Sequence, residues 1–178
     1  MRVISGKYKG RKLEGFNIDG TRPTMDRVKE SLFASIQNYL PNSHVLDLFA
    51  GSGSLGIEAL SNGALDCVFV DNSNIVYKIL KKNTKGIENV IILHTDYKNA
   101  LELFRGENKK FDLILLDPPY RLNLINKCLE LINDYQLLSD NGIIVCEYES
   151  EDVNCDHFEV LKHKKYANKC IRIYRRVK

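Results

Sequence analysis

The amino-acid sequence predicts an α/β fold: a mostly parallel, seven-stranded sheet that closes with antiparallel C-terminal strands and is preceded by a short β-hairpin. Three observations carry this. Apolar runs at 45–49, 67–70, 90–93, 111–116 and 142–148 are too uniformly hydrophobic for strands with one wet face, so they read as parallel strands buried on both sides. Helical segments alternate with them, and strand-helix-strand units need right-handed crossovers that cover both faces of a parallel sheet. The last two runs, 158–161 and 170–174, have no helical pattern between them, which predicts an antiparallel pair.

In chain order, residues 2–5 and 11–14 flank Gly6 and Gly10, with Lys7, Tyr8 and Lys9 at the tip of a hairpin. A helix is predicted over 25–40, with Val28, Leu32, Ile36 and Leu40 on one face and Thr24 as its N-cap. Pro41 and Asn42 stop it. Gly51, Gly53 and Gly56 then fall on the spacing G-x-G-x-x-G between the strand at 45–49 and a helix that ends near Asn62-Gly63. This spacing allows a tight turn and brings a ligand close to the free N–H groups of a helix start. A helix over 75–85 turns Ile75 and Ile79 inward, a short one covers 100–104, and one over 122–138 carries Leu124, Cys128, Leu131 and Ile132.

At 178 residues the chain fits one domain that buries roughly 70% of its unfolded surface. Five cysteines without a C-x-x-C pair suggest neither a disulfide framework nor a metal site. No run approaches membrane-spanning length and the first ten residues lack a signal-peptide core, so the reading is a soluble, cytoplasmic protein with no membrane partner. The net charge of +3 hides an asymmetry. Residues 1–20 hold five Lys/Arg against two acids, residues 162–178 hold eight and no acid, and the body between is acidic. Basic ends around an acidic body suit a polyanion such as RNA.

Acidic residues accompany the strand ends: Asp47 within the first strand, Asp71 and Asp117 closing the second and fourth, and Asp96 just after the third. In an open α/β sheet these ends meet in one crevice. Asp71 lies 20 residues beyond Gly51, where an acid takes a ribose hydroxyl pair; that spacing is shared by NAD and other ribosyl cofactors. Asp117-Pro118-Pro119-Tyr120 follows a buried strand. The prolines fix φ and remove two donors, leaving the Asp117 side chain and the Pro118 carbonyl as acceptors beside the Tyr120 ring. Two acceptors and an aromatic plate suit a flat substrate bearing an amino group.

Taken together, these motifs resemble a known family. The Asp47 and glycine-loop segment looks like the S-adenosylmethionine site of Rossmann-like class I methyltransferases, and Asp117-Pro118-Pro119-Tyr120 resembles the catalytic tetrapeptide of amino-group methyltransferases. With Arg2-Val3-Ile4-Ser5-Gly6, Thr21-Arg22-Pro23-Thr24 and Asp26-Arg27-Val28-Lys29-Glu30, the chain from Arg2 to Arg176 is similar to the RsmD family of 16S ribosomal RNA guanine-N2 methyltransferases, which modify the guanine at reference position 966.

The resemblance implies a basic hairpin extension over 1–20 and a methyltransferase domain over 21–178, acting on 16S rRNA or the small ribosomal subunit; with so little chain left over, a monomer is expected to suffice. It implies cofactor contacts from Asp47, Ala50, Gly51, Gly53, Gly56, Asp71 and Asp96, and catalysis by Asp117, Pro118 and Tyr120. RNA contacts are expected from Arg2, Lys7, Lys9, Arg11, Arg22 and Arg27. Two departures stand out: Asp71 replaces a common Glu, and Tyr166-Ala167-Asn168-Lys169 lacks an expected glycine. A DNA adenine-N6 methyltransferase, an NAD-dependent oxidoreductase and a noncatalytic RNA-binding protein are the alternatives.

Overall fold

The structure, a computed structural model, describes residues 1–15, 22–119, 123–150 and 152–178, with side chains from residue 25 onward in the first helix. Its elements in order are α1 (Arg22–Ile36), a 3-10 turn (Gln37–Tyr39), β1 (His44–Asp47), α2 (Ser54–Ser61), β2 (Asp66–Asp71), α3 (Asn74–Asn83) and β3 (Val90–His94). They continue with α4 (Tyr97–Gly106), β4 (Phe111–Leu116), α5 (Leu124–Asp134), β5 (Leu138–Tyr148), β6 (Phe158–Tyr166) and β7 (Lys169–Arg176). One seven-stranded sheet runs β3-β2-β1-β4-β5-β7-β6. The first five strands pair in parallel, and β7 joins β5 and β6 in antiparallel register.

Each sheet face carries its own core. Val28, Leu32, Phe33 and Ile36 of α1, Ile57 and Leu60 of α2, and Val76 and Leu80 of α3 pack on one face. Leu101 and Phe104 of α4 and Ile125, Cys128, Leu129 and Ile132 of α5 pack on the other. The topology reverses between β1 and β4, so their carboxyl ends open a crevice. Four of the five cysteines are buried and all five are free thiols, as small apolar residues would be.

Local departures from expectation have physical causes. Thr24 lies inside α1 rather than capping it; Pro23 is accepted there because first-turn N–H groups have no intrahelical acceptor. Ile75 is 68% exposed, because Ser73 caps α3 and accepts from the Val76 N–H, which turns Val76, Leu80 and Asn83 inward. Helix α5 stops at Asp134, Gln136 takes a positive φ, and Leu137 and Leu138 go to the sheet core, so the expected 122–138 helix is shorter. The N-terminal hairpin has a single ladder bridge, Arg2 to Lys12, supplemented by the Val3 N–H on the Arg11 carbonyl and the Gly10 N–H on the Val3 carbonyl. Val3 and Leu13 are buried in the same core as α1 to α3.

The missing glycine near the last strand has a local effect. Tyr166 pairs with Lys169, so Ala167 and Asn168 form a two-residue hairpin loop, and Ala167 sits at φ +46°. A Cβ in the left-handed region costs on the order of 1 kcal/mol. Ala167→Gly is therefore expected to raise stability by roughly 0.5–1 kcal/mol in urea unfolding, the strain relieved being partly offset by glycine's freer unfolded chain. An unchanged midpoint would show the alanine to be unstrained.

Candidate active site

The crevice is built around the turn from β1 into α2. Gly53 caps α2 at φ +82°, and its N–H donates to the Ala50 carbonyl at 2.8 Å. Gly56 is needed for proximity: a Cβ there would lie 2.4 Å from the Phe69 ring and 2.8 Å from Cys67 Sγ on β2. The first turn of α2 thus rests directly on the sheet. Its leading N–H groups, which lack intrahelical acceptors, lie at the crevice end.

The expected acids occupy different situations. Asp47 is buried, and its Oδ2 accepts from the Gly56 N–H at 3.0 Å, so it holds the loop from beneath. Burial pushes its carboxyl up to about 7, against the Gly56 hydrogen bond and with help from Asp71. Asp71 closes β2 and is half-buried. Its Oδ2 accepts from Gly51 N–H at 3.1 Å and its Oδ1 from Ser73 N–H at 3.0 Å, tying the loop to the start of α3. Asp96 is exposed and caps α4, with Oδ1 on the Asn99 N–H and Oδ2 accepting from the Asn99 side chain.

Asp117 and Pro118 follow β4. Asp47 is in register with Leu115, so Asp117 stands level with the loop residue Phe49. Pro118 is buried and Pro119 exposed. Burial first, and then the negative charge of Glu147, hold the Asp117 carboxyl well above the usual carboxylate range, while Lys169 opposes the rise. Tyr120 lies outside the described residues, as does the side chain of Arg22.

Two charged pairs escaped the sequence reading. Glu147 is buried near the end of β5, and Lys169 at the start of β7 donates to its Oε1 at 2.6 Å. The signal was an acid inside the apolar run 143–148. The second pair is Glu58 on α2 and Lys29 on α1, 3.3 Å apart and 1% and 7% exposed. Glu58 accepts from the N–H groups of Ile4 and Ser5, and Lys29 donates to the Arg2 carbonyl and to Ser54 Oγ. Removing either charge would strand the other, a loss of about 3–5 kcal/mol.

Asn83 completes this anchorage: its amide donates to the carbonyls of Glu14 and Ser52, and its Oδ1 accepts from the Glu14 N–H. The hairpin therefore sits against the glycine loop. Of the expected RNA contacts, Lys7 and Lys9 are exposed, whereas Arg2 lies 3.4 Å from Asp26 and Arg11 donates to the Lys85 carbonyl. Arg27 is exposed on α1.

A mostly parallel sheet in this order with an antiparallel β7, a glycine loop after β1, and an acid and two prolines after β4 define a class I methyltransferase fold. Its match to the solved structure described as "Putative methyltransferase yhhF from Escherichia coli" has a TM-score of 0.84 at 30% identity, covering 99% of this chain and 97% of that one. The model of the family described as "Conserved hypothetical protein 95" matches residues 1–175, and the chain belongs to that family. Among its relatives, "Putative rRNA methyltransferase YlbH" of Bacillus subtilis is 44% identical over 154 residues, 85% of this chain and 84% of the relative. "Ribosomal RNA small subunit methyltransferase D" of Haemophilus influenzae is 35% identical over 182 residues, covering 98% and 93%. The RsmD resemblance of the motifs and the family membership agree.

The Asp47 environment sets a pH dependence. A carboxyl whose folded pKa is raised stabilises the fold fully below its unfolded value near 4, and that contribution is lost as pH rises through about 7. Asp47→Asn keeps an acceptor for Gly56, so its urea midpoint is expected to fall less between pH 5 and pH 8 than that of the native chain. Equal declines would remove Asp47 as a source.

Proposed function

We propose that the protein transfers a methyl group from S-adenosylmethionine to the exocyclic N2 amine of a guanine in small-subunit ribosomal RNA, at position 966 of the 16S molecule. The observation that carries this reading is the Asp117-Pro118 pair standing level with the glycine loop where the sheet changes direction. The residues of the loop fit the cofactor: Gly56 lets the first turn of α2 rest on β2, which leaves the leading N–H groups of the helix at the crevice end, and Asp71 ends the neighbouring strand.

In this reading Ala50, Gly51, Gly53 and Gly56 hold the methionine end, and Asp47 fixes the loop close to the amine. Asp71 uses lone pairs left beyond Gly51 and Ser73 for the ribose hydroxyls, since a carboxylate offers about four acceptor sites. Asp96 does the same for the adenine amine beside its cap to α4. The bound cofactor supplies an electrophilic methyl on a sulfonium. The chain's task is to align the guanine nitrogen with it.

Asp117 and the Pro118 carbonyl accept the two amine hydrogens, which turns the nitrogen lone pair toward the methyl and stabilises the charge that develops on nitrogen. Burial and the negative charge of Glu147 raise the pKa of Asp117, so its ionised form binds a proton more tightly than an ordinary carboxylate does and can take the departing one. Tyr120 stacks on the base, which is splayed out of its loop to enter the crevice. The reading extends to a monomer working on the small subunit, with Lys7, Lys9 and Arg27 on RNA phosphates together with Arg2, Arg11 and Arg22.

The decisive experiment is methyl transfer from labelled S-adenosylmethionine to unmodified small subunits, naked rRNA and DNA in parallel, followed by nucleoside mass spectrometry. N2-methylguanosine at one rRNA position is expected; N6-methyladenine in DNA would move the substrate to the DNA alternative. Asp117→Ala is expected to keep cofactor affinity and lose on the order of 100-fold in turnover. Activity within a few-fold of native would end the acceptor role.

A further inference from the structure

The basic C-terminal stretch is not a tail. Residues 162–176 form most of β6 and β7, and β6 is the edge strand of the sheet, lying beside α1. Between Val160 and Lys162 the register slips: Val160 faces Tyr174, but Lys162 faces Ile173. One extra residue changes the parity of the strand, as a bulge does. Lys162, Lys164 and Tyr166 therefore turn to the face shared with Ile171, Ile173 and α1. Without the bulge, Leu161, His163 and Lys165 would point there.

On α1 they meet Ser31 and Ser35, which lie on one helical stripe with Arg27. Lys162 Nζ donates to Ser35 Oγ at 3.0 Å, and Lys164 Nζ donates to Ser31 Oγ at 2.9 Å and to Ser35 Oγ at 3.5 Å. The Tyr166 hydroxyl donates to Ser31 Oγ at 2.9 Å. Both ammonium groups are held by neutral hydroxyls, and no carboxylate pairs with either among the described residues. An ammonium has three donors, so hydrogens remain on each lysine for a further acceptor. Arg27, one turn above Ser31, is exposed.

We propose that this groove between α1 and β6 is a backbone track for RNA, in which Arg27, Lys162 and Lys164 take successive phosphates of the strand that delivers the target base. The inference rests on the ribosomal RNA reading above and adds a surface on the opposite edge of the sheet from β3. Its direction supports it. β6 ends at Tyr166, paired with Lys169, next to the carboxyl end of β5, so the groove runs to the same end of the sheet as Asp117. Three strand spacings separate β6 from β4, roughly 14 Å. Lysines on an edge strand also deter pairing with other chains. That role needs charge at the edge but no partnership with hydroxyls across a groove.

The test uses the full chain and an unmodified small-subunit rRNA transcript, with binding measured from 50 to 200 mM salt. Lys162→Gln with Lys164→Gln removes both charges and keeps donors for Ser31 and Ser35. The slope of log affinity against log salt is expected to become shallower by about 1.4, from 0.7 per lost phosphate contact on single strands. Arg27→Gln alone should remove about half as much. A charge-matched control, Lys78→Gln with Lys127→Gln, changes exposed residues on α3 and α5 and should leave the slope in place.

S-adenosylmethionine affinity and melting temperature should match the native chain in every variant. If the groove variant behaves like the control, or only gains self-association, the track is wrong while native methyl transfer to rRNA still upholds the broader reading. If the native chain transfers no methyl group to rRNA, both fall.

Discussion

The close approach of α2 to β2 is the constraint from which the crevice follows. Gly56 has no room for a Cβ against Phe69 and Cys67, so the helix starts directly on the sheet. That contact aims the first turn at the strand ends and brings the Gly56 N–H down to Asp47. The carboxyl of Asp47, denied water, then has one donor to satisfy it and one neighbouring acid to raise its pKa. A larger residue at position 56 would lift the helix, and the loop, the carboxylate and the bond from Gly51 to Asp71 would all lose their reference. The loop is a preorganised element, fixed by packing beneath it.

A second layer of restraint comes from above. The hairpin is attached through backbone groups that find buried partners on α2 and α3: Ile4 and Ser5 on Glu58, Glu14 on Asn83. Lys29 neutralises Glu58 and reaches Ser54 at the beginning of α2. Buried charges are tolerable only when paired and hydrogen-bonded, and the bonds of this pair join the hairpin to α1 and to the glycine loop's own helix. The segment that carries the exposed Lys7 and Lys9 is therefore part of the support for the glycine loop. On the far side, Lys169 pairs with Glu147, and its own charge opposes the rise that burial and Glu147 impose on Asp117.

Much of this was legible in sequence. The five parallel strands announce themselves as apolar runs, the glycine spacing marks the turn, and the Asp-Pro-Pro segment stands out after a buried strand. What was hidden depends on distance along the chain or on parity. Nothing local at Lys29 points to Glu58. The strand-end rule brings Asp71 and Asp117 to one crevice but cannot say that Asp96 spends both oxygens on Asn99. The expected inward face of α3 missed by one residue because the cap at Ser73 sets the phase of the helix. The bulge in β6 reverses which lysines face α1, and alternation alone assigns the wrong set.

The anchorage of the hairpin also orders events in time. Its partners lie 54 residues away at Glu58 and 69 away at Asn83, while the serines of α1 meet Lys164 and Tyr166 more than a hundred residues later. Contacts of such separation form only after the intervening chain has been made and its loops closed. During synthesis the hairpin has its seat once Asn83 has been made, before β4 and β5 exist, whereas α1 waits for β6 to bring Lys164 and Tyr166 to its serines. The support of the glycine loop is thus complete only when the protein has been built as far as Asn83, which joins Glu14 to Ser52.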